Sequence, residues 1–167
     1  KHGKLGFFGT FHVAAGGGSL EYKDGSEMLP GAKPIDVYSV TFGQNLGVSY
    51  AINDMVSVSG AVRLLEASQT METTHAALGK IGYEASGFGV GGIFGVNVRP
   101  IENLDLSFQY KSITKMECEI DSNKGSATAL ATLKSLMKID LAKGNKYDAD
   151  LSPEFNFGAG YKVIDPL

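Results

Sequence analysis

Long runs of period-two hydrophobicity, joined alternately by tight turns and loose connections, constrain this chain more than any other feature. The tight junctions fall at Ala51-Ile52-Asn53-Asp54, at Arg99-Pro100-Ile101-Glu102-Asn103 and at Val163-Ile164-Asp165-Pro166. The loose stretches are residues 16–33, 69–80 and 121–146. A meander with compact turns at one end and long loops at the other is the pattern of an outer-membrane β-barrel, whose loop end meets solutes. The expected fold class is all-β: an antiparallel up-and-down meander forming part of a transmembrane β-barrel, with one short amphipathic helix in a long extracellular loop. Residues 1–167 read as a single barrel segment of about six strands.

The first strand, Lys4–Ala15, sets Leu5, Phe7, Gly9, Phe11 and Val13 against Lys4, Gly6, Thr10 and His12, with Phe8 breaking the pattern. The second runs over residues 35–50 and alternates Phe42, Leu46, Val48 and Tyr50 with Gly43, Asn45, Gly47 and Ser49. The third alternates Val56, Val58, Val62 and Leu64 with Ser57, Ser59, Ala61 and Arg63. The fourth covers residues 81–98, with Phe88, Val90, Phe94 and Val96 opposite Gly87, Gly89, Gly91 and Gly95. The fifth covers 104–119 and the sixth 150–163, the latter with Phe155, Phe157 and Tyr161 opposite Glu154, Asn156 and Lys162. A soluble sandwich turns such an apolar face to its core, whereas a membrane barrel turns it to lipid and lines its lumen with the polar one. Alternation is common to both. Strand length favours the membrane, because globular strands are typically about 5–6 residues. So do Tyr50 and Tyr161 beside the tight turns, where an interfacial aromatic girdle belongs. The third indication is glycine, amide and charge on the polar faces, which suit a wetted interior.

Composition narrows the function classes. A net charge of -3 and a pI near 5.6 leave no basic stripe for nucleic acid. No run of about 18 apolar residues makes a transmembrane helix, which leaves strands as the means of crossing. Cys118 is the single cysteine, so there is no internal disulfide. The chain starts at Lys1 and reads as a processed or excised segment of a larger protein.

One segment departs from the β pattern. Residues 126–139 are good helix formers, with Leu130, Leu133, Met137 and Leu141 at helical spacing, Ser126 placed to cap the start and Gly144 beyond the end. This amphipathic helix in the longest loop is either a packed cover or an apolar landing surface for a ligand, and the two roles are compatible.

Three further patterns carry no chemistry. Gly87-x-Gly89-x-x-Gly92 matches a dinucleotide fingerprint but is followed by more strand, where the motif requires a helix. His2, His12 and His75 lack metal-ligand spacing, so no metal or cofactor is expected. No G-x-S-x-G nucleophile motif occurs, and the chain is read as no enzyme.

At the level of family, residues 47–60, Gly47-Val48-Ser49-Tyr50 through Asn53-Asp54 to Gly60, resemble a strand-turn-strand of the outer-membrane long-chain fatty acid and hydrophobic-compound transporters. Residues 87–100 with 103–112 look like that family's central hairpin, its usual Tyr-Arg-Ser standing here as Tyr110-Lys111-Ser112, and residues 151–161 resemble the next strand. The resemblance covers residues 37–163. It implies an internal segment of a closed, monomeric barrel plugged by an N-terminal hatch, with loop helices forming an outer apolar groove. Ligand would pass from that groove to an inner pocket and leave sideways at a kinked strand, without an energy source. The hatch and the remaining strands are absent from this sequence.

The expected function is a channel segment for passive uptake of long-chain fatty acids or other hydrophobic compounds, located in the outer membrane of a Gram-negative envelope and contacting its lipid. The alternative is a polar-solute porin or a structural or adhesive barrel; a soluble ligand-binding barrel is a third class. Arg63 and Lys111 on the polar faces are candidates to hold a fatty-acid carboxylate by charge-assisted hydrogen bonds. Their structural alternative is a lumenal salt bridge with Asp105 or Glu154. Leu130, Leu133 and Met137 are the candidates for the outer apolar groove.

Overall fold

The structure is a computed structural model that describes residues 4–27, 30–138 and 140–163, with the side chains of Leu136 and Met137 outside the description. Its elements are β1 (Leu5–Tyr22), β2 (Ala32–Ala51), β3 (Val56–His75), β4 (Gly79–Ile101), β5 (Leu104–Lys111), β6 (Lys115–Lys124), α1 (Ala127–Met137), β7 (Lys146–Asp148) and β8 (Glu154–Tyr161). They form one antiparallel sheet in the order β1-β2-β3-β4-β5-β8. β6 pairs with the loop-side half of β4, and β7 pairs with β6. The sheet curls into a half-barrel.

The pairing of β3 with β4 runs without a shift from Val56↔Val98 to His75↔Gly79. Because strand side chains alternate strictly, an unshifted ladder keeps each residue set on one face throughout. One face carries Phe7, Phe11, Leu46, Val62, Phe94 and Phe157, all exposed, and runs across β1, β2, β3, β4, β5 and β8. On β3 this apolar face stops at Leu64, and the next outward residue is Glu66, opposite Phe88. Tyr50 and Tyr161 stand on the same face at its turn end, opposite Leu5 and Leu104. Phe8 points to the opposite face, over Gly47, where an added Cβ would lie 2.5 Å from its ring.

Two tight turns form where expected. Asn53 ties the first, its Oδ1 accepting from the backbone N–H groups of Met55 (2.9 Å) and Val56 (2.8 Å). The second leaves only residues 102 and 103 between β4 and β5. The third lies at residues 164–166, outside the described residues.

The long connections need correction. Residues 69–80 are nearly all strand, with only Ala76–Leu78 as a turn. His75 closes it, with Nδ1 accepting from Ala77 and Leu78 N–H and Nε2 contacting the Pro30 carbonyl at 2.9 Å. Likewise β1 continues to Tyr22, β2 starts at Ala32, and β6 runs to Lys124. Above Glu66 both faces of β3 are mostly Ser, Thr, Gln and Glu, so its ladder persists where the hydrophobic alternation fades. The expected fifth strand is divided into β5 and β6, the sixth is β8 alone, and β7 is a separate three-residue strand before it.

α1 begins as expected, Ser126 Oγ accepting from Ala129 N–H at 3.2 Å. It ends earlier than Gly144, at Lys138, whose φ of 57° places it in the left-handed region. The helix lies on the sheet face opposite the exposed apolar one. Ala129, Leu133 and Leu141 there join Ile81, Ala85 and Ile120 in a buried cluster. Lys134 donates to Asp140 at 2.6 Å beyond the helix end, and Lys124 bonds Glu72 at the rim of the sheet. Each lysine holds its partner's carboxyl below the usual carboxylate range.

Leu133→Ala is expected to cost about 2–4 kcal/mol in reversible unfolding, with hydrogen exchange rising first in residues 127–137. Replacement without loss would contradict the packed cover. Asp140 and Glu72 have lowered folded-state pKa values, so their contribution is present at neutral pH and lost as pH falls through those values, below about pH 4. The protection of α1 amides, referred to the intrinsic exchange rate at each pH from 6 to 3, is expected to fall at the acid end more than that of residues 56–65 of β3.

Candidate functional site

On the face that α1 covers, Thr10, Asn45, Arg63 and Gly91 stand in one row, each opposite the next in register. Lys111 lies opposite Ile93 on one side and Glu154 on the other. Arg63 on β3 and Glu154 on β8 are three inter-strand steps apart, about 14 Å along a flat sheet. Arg63 Nη1 nevertheless comes within 3.6 Å of Glu154 Oε1. The two meet because this face is concave, so it is the inner face of the half-barrel.

Arg63 is only 2% exposed. Its Nε and Nη1 have no hydrogen-bond partner, and neither do the buried Oδ1 of Asn45 and Oγ1 of Thr114. Asn45 uses its amide nitrogen to donate to Thr10 Oγ1 at 2.9 Å. Lys111 Nζ donates to Glu154 Oε2 at 2.7 Å. Two cations therefore share one carboxylate, and the guanidinium at 3.6 Å is beyond hydrogen-bonding distance from it.

Gly91 makes this arrangement possible. A Cβ there would lie 2.5 Å from Thr114 Oγ1, so only glycine lets Thr114 fold across β4 beside Arg63. Thr114 itself is held by paired backbone bonds to Leu151, 3.1 and 3.0 Å.

The ladder is broken at this level. Three residues, Ser112–Thr114, face two on β4, a β-bulge between Ile93↔Lys111 and Val90↔Lys115. On the other side, residues 112–113 face 152–153 between the pairs Lys111↔Glu154 and Thr114↔Leu151. Pro153 has no N–H to give. Ser112 instead turns back to β4, its N–H donating to Gly92 O and its Oγ accepting from Gly92 N–H, both at 2.8 Å.

Toward the loop end, Leu65, Ala67, Met116 and Cys118 form an apolar cluster with Tyr147 and Leu151 packed against it. Toward the turn end the same face becomes polar and small, with Ser59, Gly95, Ser107, Gln109, Asn156 and Gly158 around one shallow depression. The charged group thus sits at the boundary between an apolar and a hydrophilic zone.

Both cations expected from the sequence, Arg63 and Lys111, come together here on Glu154, one of the two partners considered; Asp105 pairs instead with Arg99 at 2.8 Å. The helix residues stand apart. Leu133 is fully buried beneath α1, Leu130 packs partly buried against the same cluster, and the Met137 side chain lies outside the described residues. Asn45, Gly91 and Thr114 were not foreseen as site residues. Asn45 and Gly91 sit on the same polar faces that exposed Arg63, but cross-strand register was needed to align them. Thr114 lies at an irregularity that no alternation marks.

Among the described residues no cluster of His, Cys, Asp and Glu could hold a metal, and no helix is long and apolar enough to cross a membrane. No protein-family model, curated protein or solved structure matches the chain.

Arg63→Met is expected to leave stability within about 1 kcal/mol of the parent or raise it, because it removes unpartnered buried donors while Lys111 continues to pair Glu154. Gly91→Val is expected to cost more than about 2 kcal/mol by forcing Thr114 aside. Chemical unfolding of both variants checks the pair, and the reverse order would contradict this geometry.

Proposed function

We propose that this chain forms part of an outer-membrane channel for passive uptake of long-chain fatty acids or other hydrophobic compounds. The observation that carries the proposal is Arg63: a buried guanidinium with two N–H groups unpartnered, at the foot of an apolar cluster and on the concave face. A buried cation short of acceptors fits an anionic oxygen, and the neighbouring Leu65, Met116 and Leu151 fit a hydrocarbon tail. An amphipathic acid satisfies both at once.

The exposed apolar face supports the membrane half of the proposal. Monomeric soluble proteins rarely expose apolar patches beyond a few hundred Å², and a band continuous over the strands suits contact with lipid. On this reading Tyr50 and Tyr161 lie at one interface, Glu66 marks the other, and the rest of each long strand with α1 extends outward. The gap at residues 112–113 and 152–153 beside the charged group is the natural place for sideways release. Uptake by this route is diffusion down a gradient of affinity, with no chemistry performed on the ligand.

A polar-solute porin is the second reading, favoured by the hydrophilic zone around Ser107, Gln109 and Asn156. Binding of a fluorescent long-chain fatty acid to the protein in detergent separates the two. Uptake of hydrophobic acids predicts saturable binding that Arg63→Met weakens at least about tenfold without unfolding the protein. No saturable binding, together with passage of small sugars in liposome swelling, would support the porin.

A further inference from the structure

A carboxylate already stands where an incoming carboxylate would go. Glu154 gives one oxygen to Lys111 at 2.7 Å and approaches Arg63 with the other only to 3.6 Å. The Glu154 side chain is 39% exposed and that of Lys111 23%, whereas Arg63 is 2% exposed. The shared carboxylate thus lies on the solvent side of a guanidinium that it does not satisfy. Both cations are directed at one carboxylate, so an incoming carboxylate contends with Glu154 for the same donors. Glu154 is also the first residue of β8, directly after the unpaired residues 152 and 153, so its backbone is tethered by the ladder on one side only.

We propose that Glu154 is a resident competitor: it occupies the head-group position on Lys111 and Arg63 when no ligand is bound, and an anionic ligand must displace it. The proposal rests on reading Arg63 and Lys111 as a carboxylate site. It adds that the affinity of this site is held down from within. Displacement gives Arg63 the acceptor it lacks and moves Glu154 toward the solvent side, so the lost Lys111 contact is offset by hydration of the released carboxylate. A ligand with a neutral head gains nothing from the exchange, because it can neither replace the charge on Lys111 nor expel Glu154. Glu154 therefore sets the preference between acids and their neutral analogues. A purely structural counter-ion would behave differently, because weakening it would loosen the site for every ligand.

The test compares oleate with oleyl alcohol by titration against the purified protein in detergent, for the parent, E154Q, E154D and R63M. E154Q keeps the side-chain shape and removes the competing charge. It is expected to raise oleate affinity about tenfold while changing oleyl alcohol affinity less than about twofold. E154D, which withdraws the charge by one methylene, is expected to give a smaller gain of the same sign and serves if E154Q does not fold. Unchanged or weaker oleate binding in the folded Glu154 variants would overturn the competitor, while loss of oleate in R63M would still uphold the carboxylate site. Absence of oleate binding in the parent and in the Glu154 variants would overturn both. Equal gains for oleate and alcohol would mark Glu154 as a steric plug and overturn the charge competition.

Discussion

The antiparallel ladder of β3, unshifted against β4 and shifted against β2 only between Ala32 and Ile35, is the constraint on which the other features depend. From Ser57 to Thr73 each position of β3 faces one partner on either side, and the pleat assigns it to the inner or outer face. A slip of one residue would exchange Val62 and Leu64 for Arg63 and Leu65, placing a cation on the apolar face and breaking the buried cluster at the same time. The two faces therefore reinforce one register. The outer one must stay continuous from Phe11 to Phe157, and the inner one must bring Asn45, Arg63 and Gly91 into line.

Where the ladder of the sheet is interrupted, the site forms. The bulge at residues 112–114 and the proline at 153 fall beside Lys111 and Glu154, so the charges that meet Arg63 sit next to backbone that is not fully tied. Burying a guanidinium with two unpartnered donors is unfavourable, and a hydrophobic side chain of similar size would satisfy the fold at least as well. On the proposed reading, binding rather than stability accounts for its presence. The apolar cluster above it and the small polar residues below it give the inner face a direction, from hydrocarbon-like to water-like.

Much of this was legible in the sequence, for a physical reason: alternation is a direct record of which face a strand residue occupies. The faces of β1 to β4 and of β8, the break at Phe8, the Ser126 cap and the turn at Asn53 follow from local pattern and side-chain chemistry, whereas the bulge at residues 112–114 swaps the faces of β6 relative to β5. The outer halves of the long strands did not, because residues 69–74 are polar on both faces apart from Met71 and so carry no hydrophobic alternation, even though their backbones are paired. Lys138 ended α1 where Gly144 was expected, since a left-handed cap is favoured by glycine but not restricted to it. Arg63 and Lys111 could be named as inward cations. Their convergence on Glu154 across three strands needed the curvature of the sheet, which a linear pattern does not contain.

What occupies the concave face in its native setting separates hydrophobic uptake from the alternative most directly. Mass spectrometry of lipids that co-purify with the protein from membranes in mild detergent, against a control barrel handled identically, measures this. The account predicts enrichment of free long-chain acids, lost in Arg63→Met. A protein free of such compounds that conducts small ions in planar bilayers would contradict it.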